Sequence, residues 1–163
     1  LRQAVEALQE LGQHRKVQLI ISGGIRSGAD VAKALAMGAD AVSIGTAALV
    51  ALGCNRRVHV EDYQALGTEP GACHHCHTGR CPVGITTQDP ALESRLDIDE
   101  GARRIRNFLT VLTMEAQTLA RACGKSHLHN LEPEDLAALT VEAAAMAGVP
   151  LAGTDWIPGK STY

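Results

Sequence analysis

The segment VQLIISGGIRSGADVAKALAMGADAVSIGT, residues 17–46, constrains the fold more than any other part of the chain. Val17 to Ile21 is a short, β-branched apolar run stopped by Ser22-Gly23-Gly24. Residues 28–37 place Val31, Ala34 and Leu35 at helical spacing and end at Gly38. Ala41 to Ile44 is a second apolar run, broken at Gly45-Thr46. Two strands joined by a helix of this length predict a parallel βαβ unit. Its glycine turns then lie at the carboxyl ends of the strands, the edge where α/β proteins bind ligands.

Glycine in those turns points to an anion. A phosphate is held by backbone N–H groups, and a side chain there keeps it from approaching them. In (β/α)8 barrels the recurrent phosphate site uses the loops after strands seven and eight, helped by a helix N-terminus. A single glycine turn is equally well only a tight turn, but Gly23, Gly24 and Gly45 form two such turns in succession. Arg26, at the tip of the first, is either a phosphate contact or simply exposed, and Asp30 suits the dipole of the following helix.

Only two strands are legible, whereas parallel strands need neighbours on both edges and helices on both faces. The chain starts at Leu1 and opens directly in a helical pattern, Leu1 to Leu11, with Val5, Leu8 and Leu11 apolar and Gly12 closing it. His14, in the polar turn that follows, is expected to be solvated. The expectation is an α/β fragment, the C-terminal part of a (β/α)8 barrel, with the other strands upstream.

With 163 residues, 45% hydrophobic and a formal net charge of −3, the chain has the composition of a globular domain. No apolar run approaches the roughly 20 residues that span a bilayer, and LRQAVEALQE is no signal peptide, so no membrane partner and a cytoplasmic location are expected. The slight acidity and the scarcity of aromatics (Tyr63, Phe108, Trp156, Tyr163) argue against nucleic acid.

Thr46 to Leu52 reads as a short helical turn. From Gly53 to Pro90 the chain turns polar, broken by Gly and Pro, and is expected to be one long irregular loop. It holds Cys54 and, in GACHHCHTGRCPVGITTQDP, the array C-x2-C-x4-C formed by Cys73, Cys76 and Cys81. Three thiols so close together point to a metal site rather than a disulfide framework. His74, His75 and His77 are interleaved, which keeps a Cys3His zinc site open beside an iron–sulfur cluster; Cys81-Pro82 matches the Cys-Pro that ends some cluster-binding runs.

Beyond Pro90, Asp97 or Asp99 can cap a long helix whose apolar positions Ile105, Phe108, Leu109, Leu112, Ala116, Leu119 and Ala120 recur at three and four residues, with Arg103, Arg104 and Arg106 on the solvated face. Cys123 is expected to continue the packed stripe, and Gly124 to end it. A second helix is expected to start at Pro133 and bury Leu136, Leu139, Ala143 and Met146, stopping at Gly148 to Pro150. His127 and His129 read as hydrogen-bonded structural residues, and Trp156 as an anchor for the tail.

GGIRSGADVAKALAMGADAVSIGTAALVALGC, followed after a gap by CHTGRCPVGITTQDP, resembles the FMN-binding domain of the glutamate synthase large subunit. The C-terminal GKSHLHNLEPEDLAALTVEAAAMAGVPLAGTDWIPG is similar to shorter glutamate synthase-like relatives in which this domain is a separate chain. The resemblance implies the last two β/α units of a barrel in residues 1–52, a cluster loop in 53–90 and a helical extension in 91–163. It further implies FMN, its phosphate on Gly23, Gly24, Gly45 and Thr46, and a [3Fe–4S] cluster with ligands at Cys76 and Cys81. The implied enzyme is an oxidoreductase acting on CH–NH2 donors, in which reduced FMN delivers hydride to 2-iminoglutarate, made from 2-oxoglutarate and ammonia, to give L-glutamate. Implied partners are the upstream part of the barrel, a glutaminase domain or subunit, and an electron-donating subunit linked to NAD(P)H or ferredoxin.

The chain departs from that family's pattern at the first ligand. Leu52-Gly53-Cys54 has the expected context, yet an insertion separates Cys54 from Cys76, and Cys73 can take its place. If both coordinate, a [4Fe–4S] cluster follows. The alternative from another class is a non-catalytic subunit or assembly module with structural zinc in the cysteine loop.

Overall fold

The computed structural model of the chain describes residues 1–160. Its elements are α1 (Arg2–Glu10), β1 (Ile20–Ser22), α2 (Gly28–Ala36), β2 (Ala41–Ser43), α3 (Thr46–Leu52), α4 (Val60–Ala65), α5 (Pro90–Glu93), α6 (Ile98–Ala122) and α7 (Val141–Ala147). Short 3₁₀ turns occupy Arg57–His59, Leu128–Asn130 and Pro133–Asp135. The architecture is mixed α/β, helices with a small parallel sheet. One compact unit comprises Leu1–Ile44 with the segment from Leu112 onward; the other is Gly45–Val111.

The first unit is built on the strand, helix and strand expected from residues 17–46. β1 and β2 run parallel, with Ile20 opposite Ala41, Ile21 opposite Val42 and Ser22 opposite Ser43. β1 is displaced from the apolar run that predicted it. Val17 lies outside it, 46% exposed, in an isolated bridge with His14, which is half-buried rather than solvated. Leu19 gives its N–H to the Asp40 carboxylate at 2.7 Å, so the ladder starts only at Ile20, and Ser22 is its last residue rather than its stop.

α2 begins at a capping box. The Ser27 hydroxyl accepts from the Asp30 N–H, and the Asp30 carboxylate accepts from the N–H groups of Arg26 at 3.0 Å and Ser27 at 3.2 Å. Burial works to raise the Asp30 carboxyl, but the Arg26 N–H, Lys33 and the Ser27 hydroxyl outweigh it and hold it below the usual range. Val31, Ala34 and Leu35 are buried as their spacing requires, and Gly38 leaves the helix at φ +99°. Val5 of α1 is buried, while Leu11, just past its end, is 71% exposed.

At Gly28, α2 meets the backbone of α6 directly. A Cβ there would stand 2.3 Å from the Leu112 carbonyl oxygen, 2.5 Å from the Ala116 nitrogen and 2.7 Å from the Glu115 Cβ. Glu115 answers the approach by accepting the Gly28 N–H at 2.7 Å. Beyond it, Ala32 and Ala36 pack against Ala120 and Leu131. Small residues on both helices let the backbones meet, which is why this stretch is rich in alanine.

α6 starts where expected, the Asp97 carboxylate accepting the Glu100 N–H at 2.9 Å. Its buried stripe is narrower than the sequence suggests: Leu112, Ala116 and Ala120 are buried, while Leu109 and Leu119 are more than a third exposed. Cys123, expected to pack, is exposed, because the chain leaves the helix there and Gly124 turns away at φ +73°.

The C-terminal segment corrects a second expectation. Pro133 opens a 3₁₀ turn of three residues rather than a helix, and the chain then runs extended from Leu136. Ala138 gives its N–H to the Pro150 carbonyl and accepts from the Ala152 N–H, both at 2.8 Å, so this backbone is held in a bridge and cannot coil. α7 starts only after Thr140, whose hydroxyl accepts the Ala143 N–H. The buried residues are consequently Ala138, Ala144 and Val149, whereas Leu139 and Met146 are 87% and 84% exposed and Ala143 is exposed too. His127 accepts the His129 N–H, and the His129 ring lies 3.0 Å from the Asp40 carbonyl, as structural histidines would. Trp156 holds the tail through its backbone carbonyl, which accepts the Leu151 N–H at 3.0 Å, rather than through its half-exposed ring.

Gly28→Ala is expected to destabilise the protein by about 1–3 kcal/mol, the usual cost of overpacking, because the obstacles are backbone atoms. Denaturant unfolding reads this directly; an unchanged midpoint would mean that α6 yields freely.

Candidate functional site

The second unit turns the polar stretch after α3 into a pocket for thiols. α3 ends at Gly53, in the left-handed region at φ +104°, and that turn delivers Cys54 with its N–H on the Leu49 carbonyl at 3.0 Å. The following residues, expected to be irregular, instead form a 3₁₀ turn and α4. Glu61 and Asp62 stand in the first turn of α4, which suits the helix dipole, and Tyr63 faces inward at 1% exposure. Its hydroxyl donates to the Cys54 carbonyl at 2.6 Å. Around the ring, Cys81 and Val83 are buried, with Cys54, Cys73 and Ile85 packed at the margin. The insertion that separates Cys54 from the other cysteines in sequence therefore folds back on Cys54.

The loop carrying Cys73, Cys76 and Cys81 is held by its own polar groups. Thr78 donates to the His75 carbonyl at 2.9 Å, and the Gly84 N–H donates to the Cys81 carbonyl at 3.1 Å. Gly84, at φ +79°, is pressed against α5: a Cβ would lie 2.4 Å from the Leu92 carbonyl oxygen. The Arg95 guanidinium donates through one nitrogen to the Pro82 carbonyl at 2.8 Å and the Asp62 carboxylate at 2.7 Å.

Cys54, Cys73, Cys76 and Cys81 all line one cavity of about 90 Å³. Cys81 is buried, Cys54 and Cys73 half-buried and Cys76 exposed. Burial first, then the neighbouring Cys76, Cys81 and Cys73, pushes the Cys54 thiol up. Burial acts in the same sense on Cys81, but hydrogen bonds from the N–H groups of Thr86, Val83 and Ile85 and from the Thr86 hydroxyl outweigh it, and the thiol is lowered. The Thr86 hydroxyl itself is buried without a hydrogen-bond partner of good geometry. Burial and the nearby Cys73, Cys81 and Cys54 push Tyr63 up to about 12, keeping its hydroxyl a donor. Of the three interleaved histidines, His75 lines the cavity, with His74 stacked on it at 4.7 Å between centroids. Among the described residues, no three His, Cys, Asp or Glu side chains converge as a set for one metal ion. The thiols stand around the cavity instead.

The glycine positions fall in different settings. Gly23 and Gly24 follow β1 at φ +100° and +73°, with open space where a Cβ would be. Backbone conformation, not crowding, calls for glycine there. Gly45, at φ −110°, precedes α3, and its carbonyl accepts from Ala48 and Leu49. Thr46, the first residue of α3, stands on the wall of the cysteine cavity.

A family model described as "Conserved region in glutamate synthase" matches residues 1–126, a span that holds all four cysteines of the cavity and both glycine turns. The chain belongs to the glutamate synthase family. A "Glutamate synthase large subunit-like protein" of Rhizobium meliloti is 69% identical over 163 residues, 100% of this chain and 37% of that protein. An "Archaeal-type glutamate synthase [NADPH]" of Dehalococcoides mccartyi is 39% identical over 150 residues, covering 90% of this chain and 27% of the relative. An "Archaeal glutamate synthase [NADPH]" of Methanocaldococcus jannaschii is 44% identical over 126 residues, 77% of this chain and 22% of the relative. The chain thus spans well under half the length of these curated glutamate synthase relatives. No helix among the described residues is long and apolar enough to cross a membrane.

Tyr63 and Arg95 escaped the sequence reading. The available signal for Tyr63 was an aromatic residue behind two acidic ones in an otherwise polar loop; for Arg95 there was none. Tyr63→Phe is expected to cost about 1 kcal/mol through the lost hydrogen bond, and Tyr63→Ala about 3–5 kcal/mol by emptying the core beneath the cysteines. Equal unfolding midpoints for the two variants would refute that division.

Proposed function

We propose that the chain is part of an FMN- and iron–sulfur-dependent oxidoreductase of the glutamate synthase type, which forms L-glutamate from 2-oxoglutarate and ammonia by reducing 2-iminoglutarate. The observation that carries this reading is the one cavity that Cys54, Cys73, Cys76 and Cys81 all line. The glutamate synthase family match and the Cys81-Pro82 ending favour an iron–sulfur centre over a lone zinc ion. We assign Cys76 and Cys81 as ligands, with Cys73 and Cys54 completing either a three- or a four-thiolate set.

When bound, the cluster supplies single electrons to the flavin and the flavin supplies hydride to the imine. The chain's own part is to hold and shield. We assign the FMN phosphate to the backbone of Gly23, Gly24, Gly45 and Thr46, glycine at the first two positions leaving the approach clear of a side chain. We further assign residues 1–52 to the last two β/α units of a (β/α)8 barrel, residues 53–90 to the cluster loop and the remainder to a helical extension. The exposure of Ile20, 68%, on a parallel strand supports a barrel completed by upstream sequence, since parallel sheets are covered on both faces. A glutaminase domain or subunit would deliver ammonia, and an iron–sulfur subunit linked to NAD(P)H or ferredoxin would deliver electrons.

Metal and acid-labile sulfide analysis of the anaerobically purified complete protein, with a visible spectrum, tests this. Iron with matching sulfide and flavin absorption is expected, and zinc without sulfide or flavin would overturn it. Cys76→Ser and Cys81→Ser are each expected to lose iron; normal iron in both removes them as ligands. Gly24→Val should lower flavin content, and full flavin loading would withdraw the phosphate assignment.

A further inference from the structure

Cys54 comes to the cysteine cavity from the end of α3, outside the loop that carries the other three thiols, and its backbone is fixed on both sides. Its N–H donates to the Leu49 carbonyl of α3 at 3.0 Å, and its carbonyl accepts the Tyr63 hydroxyl of α4 at 2.6 Å. With both polar groups engaged, the direction of its Cα–Cβ bond is set, and only rotation about χ1 is left to move the sulfur. Tyr63 is itself buried with Cys81 and Val83, so the hydroxyl is held in place. Cys54 and Cys73 pack against that same cluster, and Tyr63 and the four thiols together line one cavity of about 90 Å³.

Cys73, Cys76 and Cys81 alone supply as many thiolates as a three-iron cluster takes. A fourth thiol on the same wall, carried by another element and anchored by a buried tyrosine, matches the four-cysteine set of a [4Fe–4S] cluster. We propose that Cys54 is the fourth ligand and Tyr63 its positioning residue: the hydroxyl on the Cys54 carbonyl keeps the fourth thiolate in place on its iron. This rests on the iron–sulfur reading above and commits it to four thiolates. The hydroxyl acts through the Cys54 peptide; without it that carbonyl is free to turn and the sulfur loses its fixed approach.

The test compares Tyr63→Phe, Cys54→Ala and Gly28→Ala in the complete, anaerobically purified protein. Phenylalanine keeps the ring beneath the cysteines and removes only the hydroxyl, whereas Gly28→Ala weakens the other unit and alters no residue of the cavity. Electron paramagnetic resonance separates an oxidised three-iron cluster, which is paramagnetic, from a resting four-iron one, which is not; iron and sulfide are counted beside it. Ferricyanide then takes one electron from the four-iron cluster, iron(II) leaves the corner whose thiolate has let go, and the three-iron signal grows. The parent is expected to hold a four-iron cluster and convert slowly, and Cys54→Ala to carry the three-iron form from the start. Tyr63→Phe should begin as the parent does and convert about fivefold faster, the factor that loss of one ordinary hydrogen bond allows. Gly28→Ala should convert at the parent rate. A three-iron cluster in the parent, or a four-iron cluster that survives Cys54→Ala, overturns the fourth ligand. Conversion of Tyr63→Phe no faster than that of the parent or of Gly28→Ala overturns the positioning role. If Cys54→Ala binds no iron, the parent's cluster type and Tyr63→Phe decide. Absence of iron and sulfide from the parent itself instead defeats the iron–sulfur reading.

Discussion

The hydroxyl of Tyr63 donates to the carbonyl of Cys54 at 2.6 Å, and the second unit is arranged around that bond. It spans the insertion, fixing the end of α3 to the middle of α4. Because the ring beneath the hydroxyl is nearly inaccessible, it also supplies the apolar floor on which Cys81 and Val83 rest. A polar loop with few large apolar residues has little else to fold upon. One aromatic residue, buried and satisfied at its polar end, does most of the ordering.

What the sequence disclosed depended on how local the determining interaction was. α2 and α3 were legible because their apolar spacing and glycine boundaries are set within a few residues. The same holds for the array from Cys73 to Cys81. Cys54 was legible as a candidate only through its Leu-Gly context; its place in the cavity comes from α4, too short to show a periodicity. Arg95 was illegible because its partners, Asp62 and the Pro82 backbone, are distant in sequence and one is not a side chain.

The errors have the same origin. Pro133 followed by two acids is a sound helix start in isolation, but Ala138 bonds to Pro150 and Ala152, and that non-local pairing overrides propensity across Leu136 to Leu139. Val17 has a good strand sequence, yet the Asp40 carboxylate takes the Leu19 N–H and delays the ladder. Cys123 sits at a helical spacing that would pack if α6 continued, and it does not.

The start of α2 has a consequence for how an anion can be held near β1. Several N–H groups there are already engaged: Glu115 takes that of Gly28, Ser27 takes that of Asp30, and the Asp30 carboxylate takes those of Arg26 and Ser27 just before the helix. Two carboxylates at this end oppose the positive pole of the helix. Any phosphate drawn to this edge is therefore selected by the shape of the glycine turn more than by the field of the helix behind it. Affinity so obtained depends on backbone conformation, and disturbing the peptide torsions at Gly23 and Gly24 would weaken it more than raising the salt concentration.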